Sequence, residues 1–243
     1  MNLAQEMAKR PEPPSNSHPP LWDYWRHDLW SRAQTDAPEN FYKWPCVYHT
    51  MLIEHWRNII MYTEYRYTLR FVDVDKLGLA STEDGRNQIH QLYHLLRWQE
   101  TTGKRIADMG SICEFGGGYG AMALACHLLG FKGDYYIYDL PEFCLLQQWY
   151  LEQNNINVKH SSEILPLDVD LLIACYSMSE TDYSERDEFF DKVKASNYLL
   201  LYSNWFEKFD NIDYFQQLKF GNHWQHSHIE HLPPESWYSF GWS

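Results

Sequence analysis

The hydrophobic pattern of this chain changes period near residue 105. Between Arg86 and Glu100, Ile89, Leu92, Tyr93 and Leu96 fall at i, i+3, i+4 and i+7, which predicts one stripe of an amphipathic helix. Thr101-Thr102-Gly103 ends it. Upstream, Leu21 to about Leu69 is aromatic and helix-like, with Met51, Ile59, Ile60 and Tyr62 on a stretch without Gly or Pro. Residues 1–20 carry five prolines between Pro11 and Pro20, which predicts an extended arm. From residue 105 onward, strands and helices alternate. Ser111–Phe115 is a short strand, Ala121–Leu129 a helix closed by Gly130, and Tyr135–Tyr138 a second strand. Pro141 opens a helix at a position where its missing N–H removes no bond, and that helix, Glu142–Gln153, ends at Asn154-Asn155. Asn157–His160 reads as a third short strand. Asp170–Tyr176 and Tyr198–Ser203 are continuous apolar runs, as expected of strands covered on both faces. Ser184-x-x-Asp187 carries a capping signature for a helix between those two strands, and the tail reads as a terminal hairpin or edge strands. The alternation predicts an α/β fold, a parallel sheet with helices on both faces. Three regions follow: a Pro-rich arm (1–20), an N-terminal helical region (21–104) and an α/β core (105–243).

Composition narrows the function. The chain has 243 residues, with 20 Lys+Arg against 33 Asp+Glu, a formal charge of −13. So acidic a balance argues against nucleic acid or an anionic membrane as the main partner, since both require a basic face. No apolar run approaches the roughly 20 residues that span a bilayer. The first residues, MNLAQEMAKRPEPP, lack the apolar centre of a signal peptide, which predicts a cytoplasmic chain. Cys46, Cys113, Cys126, Cys144 and Cys175 form no CxxC pair and read as reduced core residues, with no zinc site among them. Aromatics reach 17%, with 11 Trp and 18 Tyr. Ring-shaped ligands and core or interface packing both use such an excess, and the aromatic N-terminal region is a candidate contact surface between copies of the chain.

The segment Ile112-Cys113-Glu114-Phe115-Gly116-Gly117-Gly118-Tyr119-Gly120 carries most of the functional information. Its glycines let the backbone turn sharply at a strand end and let a ligand lie against bare peptide groups at a helix N-terminus. The pattern alone is ambiguous. Gly116-x-Gly118-x-x-Ala121 also satisfies the dinucleotide fingerprint, with Asp139 placed 23 residues after Gly116 as the ribose-binding acid. Glu114 separates the readings, because its carboxylate repels a pyrophosphate and favours a ligand bearing ammonium and sulfonium groups. Asp139 ends the second strand, where an acid reaches both ribose hydroxyls of an adenosine.

CEFGGGYG followed by YYIYDLPEFCLLQQWYL resembles the sugar O-methyltransferases, a branch of the class I S-adenosyl-L-methionine-dependent methyltransferases, and DLLIACYSMSE resembles that family's fourth-strand segment. The resemblance covers about Ile112 to Asn204. It implies a Rossmann-like, seven-stranded, mostly parallel sheet with one antiparallel strand, and a cofactor lying across the carboxyl ends of its first strands. It implies methyl transfer to a hydroxyl of a sugar or glycan. Glu114, Gly116, Gly117, Gly118, Tyr119, Gly120, Asp139, Leu140, Tyr176 and Ser177 are the expected cofactor contacts.

Transfer to a hydroxyl calls for a base within hydrogen-bond reach. Glu180, at the exit of the fourth strand, is the first candidate, with helix capping as its structural alternative. The tail sequence HWQHSHIEH supplies His223, His226, His228 and His231. If that stretch is a strand, His226 and His228 share one face and His223 and His231 the other. His223, after Gly221-Asn222, is the second candidate base. A divalent ion held by these histidines is a weaker alternative, because ligands split between faces do not converge without a bend. Ser179, Asn204, Trp205 and Trp224 are the candidate substrate contacts, the amide for a hydroxyl and the indoles for a sugar face. A non-sugar small-molecule O-methyltransferase, a non-catalytic scaffold of the same fold and, more remotely, an NAD-binding oxidoreductase remain alternatives.

Overall fold

The computed structural model describes residues 1–13, 20–52, 57–79, 83–232 and 235–243. Among the described residues, five α-helices precede the sheet: α1 (Leu3–Met7), α2 (Pro20–Thr35), α3 (Pro45–Tyr48), α4 (Arg57–Thr68) and α5 (Glu83–Thr102). They are followed by β1 (Ser111–Phe115), α6 (Ala121–Leu128), β2 (Asp134–Tyr138), α7 (Pro141–Gln153), β3 (Lys159–Ser161), β4 (Leu167–Cys175), α8 (Tyr183–Lys192) and β5 (Val193–Ser203). The chain ends with β6 (Trp205–Phe206), β7 (Phe209–Asp210), α9 (Asn211–Gln217), β8 (His223–Ile229) and β9 (Ser236–Trp242).

Seven strands form one sheet in the order β3-β2-β1-β4-β5-β9-β8. β1 to β5 are mutually parallel, and β9 alone runs against its two neighbours. This is the Rossmann-like, seven-stranded, mostly parallel sheet expected from the sequence, with its single antiparallel strand. The reversal of strand order at β1/β4 opens a crevice at the carboxyl ends, where ligands of doubly wound sheets bind. Along β4, Leu171 and Ile173 pack into the layer containing α5, α6 and α7, while Leu172 and Ala174 face the α8–α9 layer. That two-sided burial explains why the strand reads as an unbroken apolar run.

The tail is a hairpin, but β9 lies inside the sheet between β5 and β8. The Ser184 capping signature is not used: α8 begins at Tyr183, and its preceding residue, Asp182, makes no side-chain cap bond. The small β6–β7 hairpin and α9 were not anticipated. Before the proline stretch the arm forms α1, whose Leu3 and Met7 are buried, and the Met1 ammonium binds Glu152 on α7 at 2.6 Å. Pro14 and Pro19 lie outside the described residues, as do the side chains of Ile59 and Ile60. None of the five cysteines is disulfide-bonded. No helix among the described residues is long and apolar enough to cross a membrane.

Candidate active site

A cavity of about 540 Å³ opens at the carboxyl ends of β1, β2 and β4. Its floor is the glycine loop. Gly116 has φ +73°, and a side chain there would overlap Ser177, whose hydroxyl donates to the Phe115 carbonyl oxygen. This contact binds the exit of β4 to the end of β1, so the two strand ends share one wall. Gly118, at φ +58°, has only Met51 near its open side among the described residues, with Sδ 3.4 Å from where a Cβ would stand. Tyr176 adopts φ +64°, a conformation costly for a side chain that large, and its hydroxyl shares a 2.9 Å hydrogen bond with Ser236.

Acids gather around this floor. Glu114, Asp139, Glu180, Glu185 and Asp23 all line the cavity. Glu114 is almost wholly buried and accepts a 2.8 Å hydrogen bond from the Tyr135 hydroxyl. Burial pushes its carboxyl up to about 8 against that hydrogen bond, with Asp139 adding to the rise. Asp139 accepts from the Leu140 N–H at 2.7 Å and from Gln147 Nε2 at 2.6 Å. Burial raises it to about 7 despite those donors and the Gly117 and Gly118 N–H groups. Glu180 is raised by burial to about 8, opposed by a hydrogen bond from Trp22. Among the described lining residues Arg26 is the only Lys or Arg, and it is committed to Glu142 at 2.8 Å.

The opposite wall comes from the N-terminal helices. Trp22, Asp23 and Arg26 enter from α2, His49 to Leu52 from the turn after α3, and Asn87, His90 and Gln91 from one face of α5. Sequence reasoning missed all of these. A signal was present, since Asn87, His90, Gln91 and His94 repeat at i, i+3, i+4 and i+7 beside the apolar stripe. Behind His90 lies a buried polar group. Glu64 oxygens sit 2.9 and 3.0 Å from His90 Nδ1, His90 Nε2 is 3.0 Å from His94 Nε2, and His94 Nδ1 meets the Tyr238 hydroxyl. His231 Nε2 lies 3.3 Å from Glu64.

Of the expected cofactor contacts, Glu114, Gly116, Gly117, Gly118, Tyr119, Asp139, Leu140, Tyr176 and Ser177 line the cavity, as does Glu180. Tyr119 also has a packing role: its hydroxyl donates to Asp84 at 3.1 Å and accepts from Asn87 at 2.7 Å, within a cluster of rings from Phe41, Tyr42 and Tyr150. Six expected residues are not brought to the cavity. Gly120 precedes α6 and faces Leu151. His223 pairs with Trp242, at the end of the sheet where β5 begins, and stacks on that indole. The register thus puts it at the opposite end of the strands from the cavity. Trp224 shares that end, packed against Tyr198 and Phe220. Ser179 is fully buried, its hydroxyl on the Tyr176 carbonyl and its own carbonyl on Arg186. The Asn204 amide is spent on Glu235 and Trp237, and Trp205 is exposed on β6.

No protein-family model matches this chain, and no curated protein does. Solved structures are similar to it in fold. A ribosomal-protein methylase from Lactobacillus delbrueckii subsp. bulgaricus matches at 13% identity, over 64% of this chain and 79% of its own, with a TM-score of 0.45. A precorrin-6y methyltransferase from Geobacter metallireducens GS-15 matches at 12% identity, over 65% and 89%, with a TM-score of 0.44. The O-methyltransferase of a trans-AT PKS multienzyme from Brevibacillus brevis, solved in complex with S-adenosyl-L-homocysteine, matches at 13% identity over 45% and 41%, with a TM-score of 0.38.

Proposed function

We propose that the chain is an S-adenosyl-L-methionine-dependent O-methyltransferase acting on a hydroxyl of a sugar or similarly hydroxyl-rich small molecule. One observation carries the reading: Glu114, Asp139 and Glu180 line a single cavity in which the only Lys or Arg among the described lining residues, Arg26, is neutralised by Glu142. One buried and two half-buried carboxyls without a free cation among the described lining residues form a poor seat for a diphosphate and a good one for a ligand bearing ammonium and sulfonium charges. In this reading Asp139 receives the ribose hydroxyls, Gly116 to Gly118 let the ligand lie against the loop, and Glu114 faces its positive charge.

The acceptor enters beneath the N-terminal helices. Trp22 offers a ring face, and Asn87, His90 and Gln91 offer amide and imidazole groups, a mixture suited to a polyol. Holding oxygen, methyl carbon and sulfur in line supplies much of the acceleration, and Glu180 takes the hydroxyl proton. The test is calorimetric titration with S-adenosyl-L-homocysteine, followed by methyl transfer from labelled cofactor to a panel of sugars, nucleotide sugars and phenols. Binding of a nicotinamide dinucleotide in place of S-adenosyl-L-homocysteine would overturn the reading. Cofactor binding with no transfer to any acceptor would leave a cofactor-loaded scaffold.

A further inference from the structure

Glu64 on α4 has no measurable exposure, yet no Lys or Arg among the described residues is ion-paired with it. Its neighbours are imidazoles. A carboxylate removed from water in this way calls for a compensating cation. His90 and His94 stand four residues apart on α5, the spacing that puts two imidazoles on one helix face and that helical metal sites use. One donor atom from each of Glu64, His90 and His94 lies within 4.8 Å of the other two, and all three residues are buried.

The two rings do not form a good hydrogen-bonded pair. Their Nε2 atoms are 3.0 Å apart, while their centroids are 4.2 Å apart with the planes at 79°. A linear N–H···N bond of that length would hold the centroids about 5 Å apart, since each nitrogen extends about 1 Å from its ring centre. The two nitrogens therefore do not face each other along a linear hydrogen bond. Both Glu64 oxygens approach the other nitrogen of His90, Nδ1, at 2.9 and 3.0 Å, so an ion shared with the carboxylate would take that nitrogen of His90 together with His94 Nε2. Outer contacts are present as well. The Tyr238 hydroxyl holds the far nitrogen of His94, and His231 holds a Glu64 oxygen, the kind of support that fixes ligand orientation.

We propose that Glu64, His90 and His94 form a site for one divalent transition-metal ion of the zinc class on the wall of the cavity. Two imidazoles and one carboxylate suit zinc, cobalt or nickel; magnesium and calcium prefer all-oxygen sites. Because His90 also lines the cavity, an open coordination position on that side would accept an oxygen of a bound hydroxyl compound. The site differs from the tail cluster that the sequence suggested: of those four histidines only His231 approaches it, and as a support to Glu64. The inference stands apart from the methyltransferase reading, because metal binding is measured without cofactor or acceptor.

The full chain, stripped with a chelator and dialysed, is titrated with Co²⁺ and Zn²⁺ by calorimetry and, for Co²⁺, by visible absorption. One ion per chain is expected, with His94→Gln and Glu64→Gln each weakening it at least tenfold and His228→Ala leaving it unchanged. Independently of any variant, long-range ¹H–¹⁵N spectra of the unaltered protein should show two of its 12 histidines moving on the first equivalent of Zn²⁺, those of α5. Absence of stoichiometric binding would overturn the proposal. So would a first equivalent that moves only the exposed tail histidines, or one insensitive to His94→Gln in a folded variant.

Discussion

Gln147 and Asp139 are joined by a 2.6 Å hydrogen bond, and the same Gln147 amide donates to the Gly118 carbonyl oxygen at 3.0 Å. One side chain on α7 therefore ties the loop after β1 to the acid after β2. Asp139 has two oxygens, so bonds to Gln147 and to the Leu140 N–H leave lone pairs for a ligand. Asp139→Ala should weaken S-adenosyl-L-homocysteine binding more than tenfold in calorimetry. Gln147→Ala should weaken it less and destabilise the fold by about 1–3 kcal/mol, because it leaves both acceptors short of a donor. Unchanged affinity in Asp139→Ala would show that the ribose is held elsewhere.

The glycine loop offers a contrast between folding and binding. Gly116 is packed against Ser177, so Gly116→Ala should lower the melting temperature by displacing the β1–β4 junction. Gly118 faces Met51 and the cavity instead. Gly118→Val should leave a folded chain, at about 1–2 kcal/mol of backbone strain from its positive φ, yet abolish cofactor binding because a side chain fills the ligand's space. Thermal melts with and without S-adenosyl-L-homocysteine separate the two effects. A Gly118→Val protein that still gains stability from the ligand would place the cofactor off the loop.

These contrasts bear on what the sequence disclosed. The glycine loop, Glu114 and Asp139 were legible because strand, turn and acid are contiguous and each residue type has one geometric reason to be there. The wall opposite was not. Asn87, His90 and Gln91 share α5 with a strong apolar stripe, and periodicity assigns such polar positions to solvent unless another layer is known to cover them. His223 was misplaced for a different reason. Its loop position pointed to a site, but only the β5–β9–β8 register shows which end of the strand meets the cavity.

Cofactor affinity should depend on pH in a defined direction. Burial raises Glu114 to about 8 and Asp139 to about 7 in the empty protein, so both hold protons to unusually high pH. Because these folded-state values lie above the unfolded ones, the two groups favour the fold most at acidic pH, and that contribution is lost as pH rises through about 7 to 8. A bound sulfonium or ammonium reverses the preference by stabilising the carboxylates, so binding expels protons below that range. S-adenosyl-L-methionine affinity should increase between pH 6.5 and 8.5, with S-adenosyl-L-homocysteine, which lacks the sulfonium, responding less. Titrations in two buffers of different ionisation enthalpy count the released protons, and equal heats in both would remove the role given to these acids.

Glu180 is the last group whose protonation decides an outcome. It lies on the cavity wall beyond the β4 exit, with a hydrogen bond from Trp22, and burial raises it to about 8. A base must be ionised to act, so turnover with saturating cofactor should climb as pH rises toward 8 and level off above it. A bound sulfonium nearby shifts that inflection downward. Glu180→Gln preserves shape and hydrogen bonding but cannot accept a proton. It should leave S-adenosyl-L-homocysteine affinity within about threefold while cutting turnover by 10²-fold or more, the range typical of a lost general base. Trp22→Phe removes the opposing hydrogen bond and should move the inflection upward without abolishing turnover. If Glu180→Gln keeps full turnover and the same pH profile, the proton leaves by another route, and His90, on the same wall, becomes the residue to replace next.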